Sequence, residues 1–229
     1  MTLIEEQQNC LELWAQLSER ADASNLAGPF LSASALDPNA KCKVLYIGKA
    51  TGGDYWRNEA ANDLEIESRR KISRKFISDD IIGGRYSSPF WEFSQQIAAM
   101  TIEAGFYQGK HYGNMIWSNL MRIGVQHGNP SGHLAGIQWQ LAAATLQEEV
   151  REYQPSLIVL VSGSYMEWLV HEVLGSGWIG ESFNAGYQRS AVGEHPPVLW
   201  TRHPQGASHQ QRTQWVAIAQ ALLQAGVEG

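Results

Sequence analysis

The sequence predicts an α/β domain with a mostly parallel sheet covered by helices on both faces. Short apolar runs alternate along the chain with longer segments of helical periodicity. The runs are apolar nearly throughout rather than at every second residue, the pattern of strands buried on both sides. The length of 229 residues with 44% hydrophobic residues suits one open α/β domain. We therefore read residues 1–229 as a single domain, with a helical and loop extension over 1–40 and a charged insertion over 53–88.

Glu5 to Ala21 carries Leu11, Trp14 and Leu17 at helical spacing and predicts an amphipathic helix. Ser24 to Ala40 is turn-rich, with Gly28-Pro29 and Asp37-Pro38. Val44 to Ile47 predicts a buried strand closed by Gly48, and Arg57 to Arg85 is charged and partly helical. Pro89 to Ala104 predicts a helix with proline in its first turn and Gly105 past its end. Met115 to Trp117 is a second strand, and Ile137 to Tyr153 a helix stopped before Pro155. Leu157 to Val161 is an all-apolar strand, Tyr165 to Leu174 a helix, Val198 to Thr201 a fourth strand and Gln210 to Gln224 the last helix. Ala185 to Ala191 predicts a short edge strand.

Seventeen basic against 23 acidic residues leave a net charge of −6, which excludes holding nucleic acid by bulk charge but leaves room for a local basic groove. Arg69 to Lys75 packs five basic residues into seven positions. On a helix they form either a phosphate-binding face or a solvated face tied by pairs such as Glu67 with Lys71. Two cysteines, Cys10 and Cys42, are too few for a four-cysteine metal or cluster site and are expected as free thiols in a reducing compartment. The start MTLIEEQQNC lacks the basic and apolar regions of a secretory signal, and the longest apolar run is far below the roughly 20 residues that span a bilayer. The expectation is a cytoplasmic chain with no membrane partner. Nothing in the pattern points to a metal or cofactor.

In an open parallel sheet, ligands bind beyond the carboxyl ends of the strands. Those ends carry Gly48-Lys49-Ala50-Thr51-Gly52-Gly53-Asp54, Ser118-Asn119-Leu120, Ser162-Gly163-Ser164 and Arg202-His203-Pro204-Gln205-Gly206. The glycine-rich turn matches neither a Walker A loop nor G-x-G-x-x-G, and is either an anion-binding nest or a turn needing unusual backbone angles. A neutral His203 could donate to a developing oxyanion, or simply bond to backbone at a strand end. Asn119 could read an amide edge or cap a turn. Asp54 could orient a water, cap a helix or pair with Arg57.

Taken in order, these landmarks resemble the uracil-DNA glycosylase superfamily. Gly48-Lys49-Ala50-Thr51-Gly52 is similar to its first motif, a strand-end Gly-x-(Asp/Asn/Ala)-Pro-(Gly/Tyr). Phe90-Trp91 at a helix start is similar to the mismatch-specific branch, Ser118-Asn119-Leu120 to the segment whose Asn reads the base, and Arg202-His203-Pro204 to the His-Pro-Ser motif. The resemblance spans about residues 42 to 223. It implies a three-layer α/β/α sandwich with a four-stranded parallel sheet. It also implies hydrolysis of the N-glycosidic bond of a damaged or deaminated base in DNA, single-stranded or mismatched, through an oxocarbenium-like state. His203 and Asp54 would be catalytic; Gly48, Lys49, Ala50, Gly52, Phe90, Trp91 and Asn119 would bind substrate, with Tyr55, Trp56 or Tyr86 as other stacking candidates. Lys49 and Ala50 stand where the family places its water-activating residue, Thr51 replaces the proline, and Gln205-Gly206 replaces the serine-rich loop. The alternatives are a protein that binds a nucleobase, nucleotide or nucleic acid on the same fold without catalysis, and an unrelated α/β protein.

Overall fold

The computed structural model describes residues 1–19, 25–52, 64–175, 187–188 and 196–228. Helix α1 (Leu3–Ser18) starts earlier than the periodicity predicts, because Thr2 and Glu5 form a reciprocal capping box. Strand β1 (Leu26–Pro29) lies inside the stretch expected to be turns. Strand β2 (Val44–Ala50) is followed by α2 (Ile66–Lys75), which runs directly into a π-helical segment, Phe76–Ile82. Helix α3 (Pro89–Glu103) has its proline in the first turn. Strands β3 (Met115–Met121) and β4 (Ile123–Val125) precede α4 (Gly132–Tyr153), β5 (Leu157–Leu160) and α5 (Glu167–Leu174). The two-residue β6 (Tyr187–Gln188), β7 (Val198–Thr201) and α6 (His209–Glu228) complete the described elements.

The main sheet has the order β3-β2-β5-β7-β6, with four parallel strands and β6 added antiparallel at the edge. Of the expected edge strand Ala185–Ala191, only Tyr187 and Gln188 fall within the described residues. The chain steps from β2 out to β3, then crosses back over β2 to β5 and continues to β7. Right-handed crossovers that reverse direction place their helices on opposite faces. Side chains sort accordingly with a period of two. Val44, Tyr46, Trp117, Val159 and Leu199 pack with α3 and α6; Leu45, Ile47, Ile116, Ile158 and Trp200 pack with α4 and α5. This is an α/β fold consistent with three α/β/α layers. Helix α1 covers α4 through Cys10, Leu11 and Trp14, beside the small antiparallel pair β1-β4. Both cysteines are free and buried. No helix among the described residues is long and apolar enough to cross a membrane.

Two motifs expected in loops lie in strands. Gly48-Lys49-Ala50 is the end of β2, and Ser118-Asn119-Leu120 is inside β3, because the ladder continues through Gly48 opposite Asn119 to Ala50 opposite Met121. Ser118 is buried, and its hydroxyl donates to Glu149 on α4 at 2.7 Å. Arg122 donates to both oxygens of the same carboxylate, at 2.7 and 2.9 Å. The α4 helix also begins five residues before the expected Ile137, after Ser131, and α5 starts two residues after the expected Tyr165.

Candidate functional site

The parallel register by itself brings the strand ends level. Gly48 is abreast of Asn119, Ile47 of Leu160, and Leu160 of Trp200. The amide of Gly163 then bonds to the carbonyl of Thr201 at 2.9 Å, so His203 projects just beyond the same edge. The crossover reversal at β2 makes this edge the switch point of the sheet, where a crevice opens. A cavity of about 1140 Å³ occupies it.

Its wall brings together most of the residues singled out in the sequence: Lys49, Ala50, Gly52, Phe90, Trp91, Asn119 and His203. Gly48 sits directly behind that wall. A Cβ there would meet Asn119 Oδ1 at 2.5 Å and the Phe90 ring at 3.0 Å, so glycine is what lets the amide and the ring close over the strand. A second glycine, Gly124, is forced in the same way: its Cβ would overlap the Thr51 carbonyl oxygen. Asp54, Tyr55, Trp56 and Arg57 lie outside the described residues. Tyr86 lines the cavity and is half exposed, with its ring 5.8 Å from that of Phe76.

Asn119 follows Met115 and Trp117 on the α3 side of the sheet, as the strand period requires. The residue is 2% exposed, yet its Nδ2 has no hydrogen-bond partner among the described residues. Leaving such a donor unpaired costs about 1–3 kcal/mol, so it favours an acceptor, a water or a ligand atom, beside it. Tyr46 donates its hydroxyl to the Phe90 carbonyl at 2.9 Å and thereby fixes the start of α3 against the sheet. The Phe90 ring is stacked with His203, centroids 5.8 Å apart and planes 20° from parallel.

His203 precedes the 3₁₀ turn Pro204–Gly206, and its Nδ1 accepts the backbone N–H of Gln205 at 3.3 Å. A backbone N–H can only donate, so in the neutral ring the proton resides on Nε2. Burial, and secondly the positive charge of Lys49, push the His203 pKa from 6.5 down to about 4. The ring is therefore a neutral donor at physiological pH. Lys49 is half-buried, burial lowers its own pKa, and its Nζ lies 5.9 Å from the centre of the Tyr165 ring.

The periodicity gave no hint of the π-helical segment, which delivers Phe76 and Asp80 to the cavity. Such segments are rare and are frequent at functional sites. Asp80 is the only carboxylate on the wall among the described residues; Arg85 pairs with it at 3.2 Å and lines the cavity too. The basic run Arg69–Lys75 does not reach the cavity. Arg69 and Ser73 are buried, Arg70 bonds to Gln7 and to Glu67, and Arg74 bonds to Ser34, so this face docks α2 onto the N-terminal segment. The expected Glu67–Lys71 pair is replaced by Glu67 with Arg70, one residue closer.

The described residues contain no cluster of three or more metal-ligating side chains. No protein-family model matches the chain, and no curated protein matches it in sequence.

Proposed function

We propose that the chain is a uracil-DNA glycosylase-like hydrolase that takes an extrahelical, deaminated or damaged base of DNA into the cavity at the carboxyl edge of the sheet. The observation that carries this is the unpartnered, buried Nδ2 of Asn119 in a cavity that also holds a neutral His203. Two donors suit a ring with carbonyl acceptors, and the Phe90 ring offers a flat apolar wall. When the C1′–N bond breaks, its electron pair goes to the base and charge builds on a base oxygen. The Nε2–H of His203 stabilises that charge by donating to it. Water adds to C1′ and gives up a proton that ends on the departing base; Asp80 is the carboxylate on the described wall that can relay it, and Asp54 lies outside the described residues.

Removal of one oxyanion donor costs about 10²–10³ in rate. Accordingly, His203→Ala and Asn119→Ala should each cut excision from uracil- or hypoxanthine-containing oligonucleotides by that order, with the fold intact by circular dichroism. Failure of the wild-type protein to form an abasic product from any of these at low salt would refute the hydrolase.

A specific observation favours a second reading, recognition without excision. Lys49 and Ala50 stand where a carboxylate is expected, and Asp80 is already engaged by Arg85. Saturable thermal stabilisation by uracil without an abasic product would select it.

A further inference from the structure

We infer that the cavity contains an anion subsite, formed by Lys49 and Arg202 beside the base-recognising wall, that takes the phosphate of a nucleotide unit. This rests on the base-pocket proposal and adds to it what the base is attached to.

The charge distribution supports it. The chain carries a net charge of −6, yet the described cavity wall has Lys49, Arg85 and Arg202 against the single acid Asp80. Asp80 and Arg85 neutralise each other. None of the ion pairs among the described residues involves Lys49 or Arg202. Both residues line the cavity, neither has a carboxylate partner among the described residues, and burying an uncompensated charge is costly unless a counter-ion arrives.

Arg202 is also held in place. Its Nη2 donates to Gln211 Oε1 at 2.6 Å, and that oxygen also accepts the Ser208 N–H at 3.0 Å at the start of α6. The partner is a neutral amide, so the guanidinium is oriented without being neutralised. Its buried Nε has no partner among the described residues. A planar guanidinium with a donor to spare is suited to phosphate oxygens. The first turn of α3 lines the same cavity, and its N-cap Ser88 makes no side-chain capping bond, which adds the positive end of a helix. Finally, the cavity of about 1140 Å³ exceeds the usual size of small-ligand sites, about 300–1,000 Å³, and has room for a base with its sugar and phosphate.

The test is a set of dissociation constants for uracil, deoxyuridine, dUMP and a single-stranded trinucleotide with central deoxyuridine. They would be measured by calorimetry on the full chain at two salt concentrations. Deoxyuridine and dUMP differ only by the phosphate, and dUMP should bind about 10-fold tighter or more, with the advantage shrinking at high salt. In Lys49→Met and Arg202→Met that ratio should fall toward one, and in Lys49→Arg it should persist. Tightening by dUMP but not by the trinucleotide assigns the subsite to a phosphomonoester; tightening by both assigns it to the DNA backbone. Equal binding of deoxyuridine and dUMP overturns the subsite while leaving the base pocket standing. A ratio unchanged in both Met variants overturns it as well. No binding of uracil, nucleoside or nucleotide removes the base pocket itself. Should the Met variants not fold, the wild-type ratio and its salt dependence still decide.

Discussion

Position 48 shows how one small residue sets the chemistry of its neighbours. The atoms that crowd it are the end of the Asn119 side chain and the edge of the Phe90 ring, not backbone. An added methyl would therefore turn the amide aside rather than break the strand. Gly48→Ala should cost only about 1 kcal/mol of stability in urea titration but abolish uracil binding. Unchanged affinity would mean that the placement of Asn119 is immaterial. His203 makes a second residue-scale prediction. With its pKa lowered from 6.5 to about 4, the unfolded chain binds a proton there between those values that the folded chain does not. This contribution to stability is therefore present above about pH 6.5 and lost as the pH falls toward 4. Replacing His203 with Gln should flatten the slope of unfolding free energy against pH in that window. The charge of Lys49 is the second cause of the shift, so Lys49→Met should raise the midpoint of the His203 proton resonance. A midpoint near 6.5 in the wild-type protein would contradict the burial described here.

Among the elements, β3 carries two tasks on its two faces. Asn119 points toward the cavity side, while Ser118 and the following Arg122 anchor the other face to Glu149 on α4. Both ends of that ion pair are buried, with 1% and 0% side-chain exposure. Removing one partner leaves a buried charge without compensation, so Glu149→Ala should cost about 3–5 kcal/mol. Pairing it with Arg122→Met should recover much of the loss, as urea unfolding of the single and double variants would show. A loss below about 1 kcal/mol for Glu149→Ala would mean that water reaches the pair. The same strand explains a misreading of the sequence. Ser-Asn after Met-Ile-Trp looks like a loop, because a polar residue at a strand end is ambiguous until its partner is known, and that of Ser118 is Glu149, 31 residues away. The π-helical segment was hidden for a related reason: Phe-Ile-Ser-Asp-Asp-Ile-Ile has the composition of an ordinary helix, and the one-residue shift in bonding that brings Asp80 to the cavity leaves no periodic mark.

At the scale of the whole molecule, much of the architecture was legible. The four parallel strands announce themselves as apolar runs because helices cover both faces, and Pro89 and Pro155 mark helix boundaries by their lack of an N–H. Placing ligands beyond strand ends then pointed to residues that do share a cavity, although Asn119 and Lys49 reach it from within strands. The β1-β4 pair was not legible, since two short segments nearly a hundred residues apart carry no local signal. Nor could the basic run on α2 be separated from a phosphate-binding face before its arginines were seen bonded to Gln7, Glu67 and Ser34. The basic residues of the cavity wall, Lys49, Arg85 and Arg202, come from separate parts of the chain that only the fold assembles.

A crystal of the full chain soaked with uracil tests the central claim most directly. The account predicts density for a planar ring against Phe90, with one carbonyl oxygen within hydrogen-bond distance of Asn119 Nδ2 and another facing His203 Nε2. A saturated soak that leaves this crevice without the ring, or seats the ring elsewhere on the molecule, would contradict it.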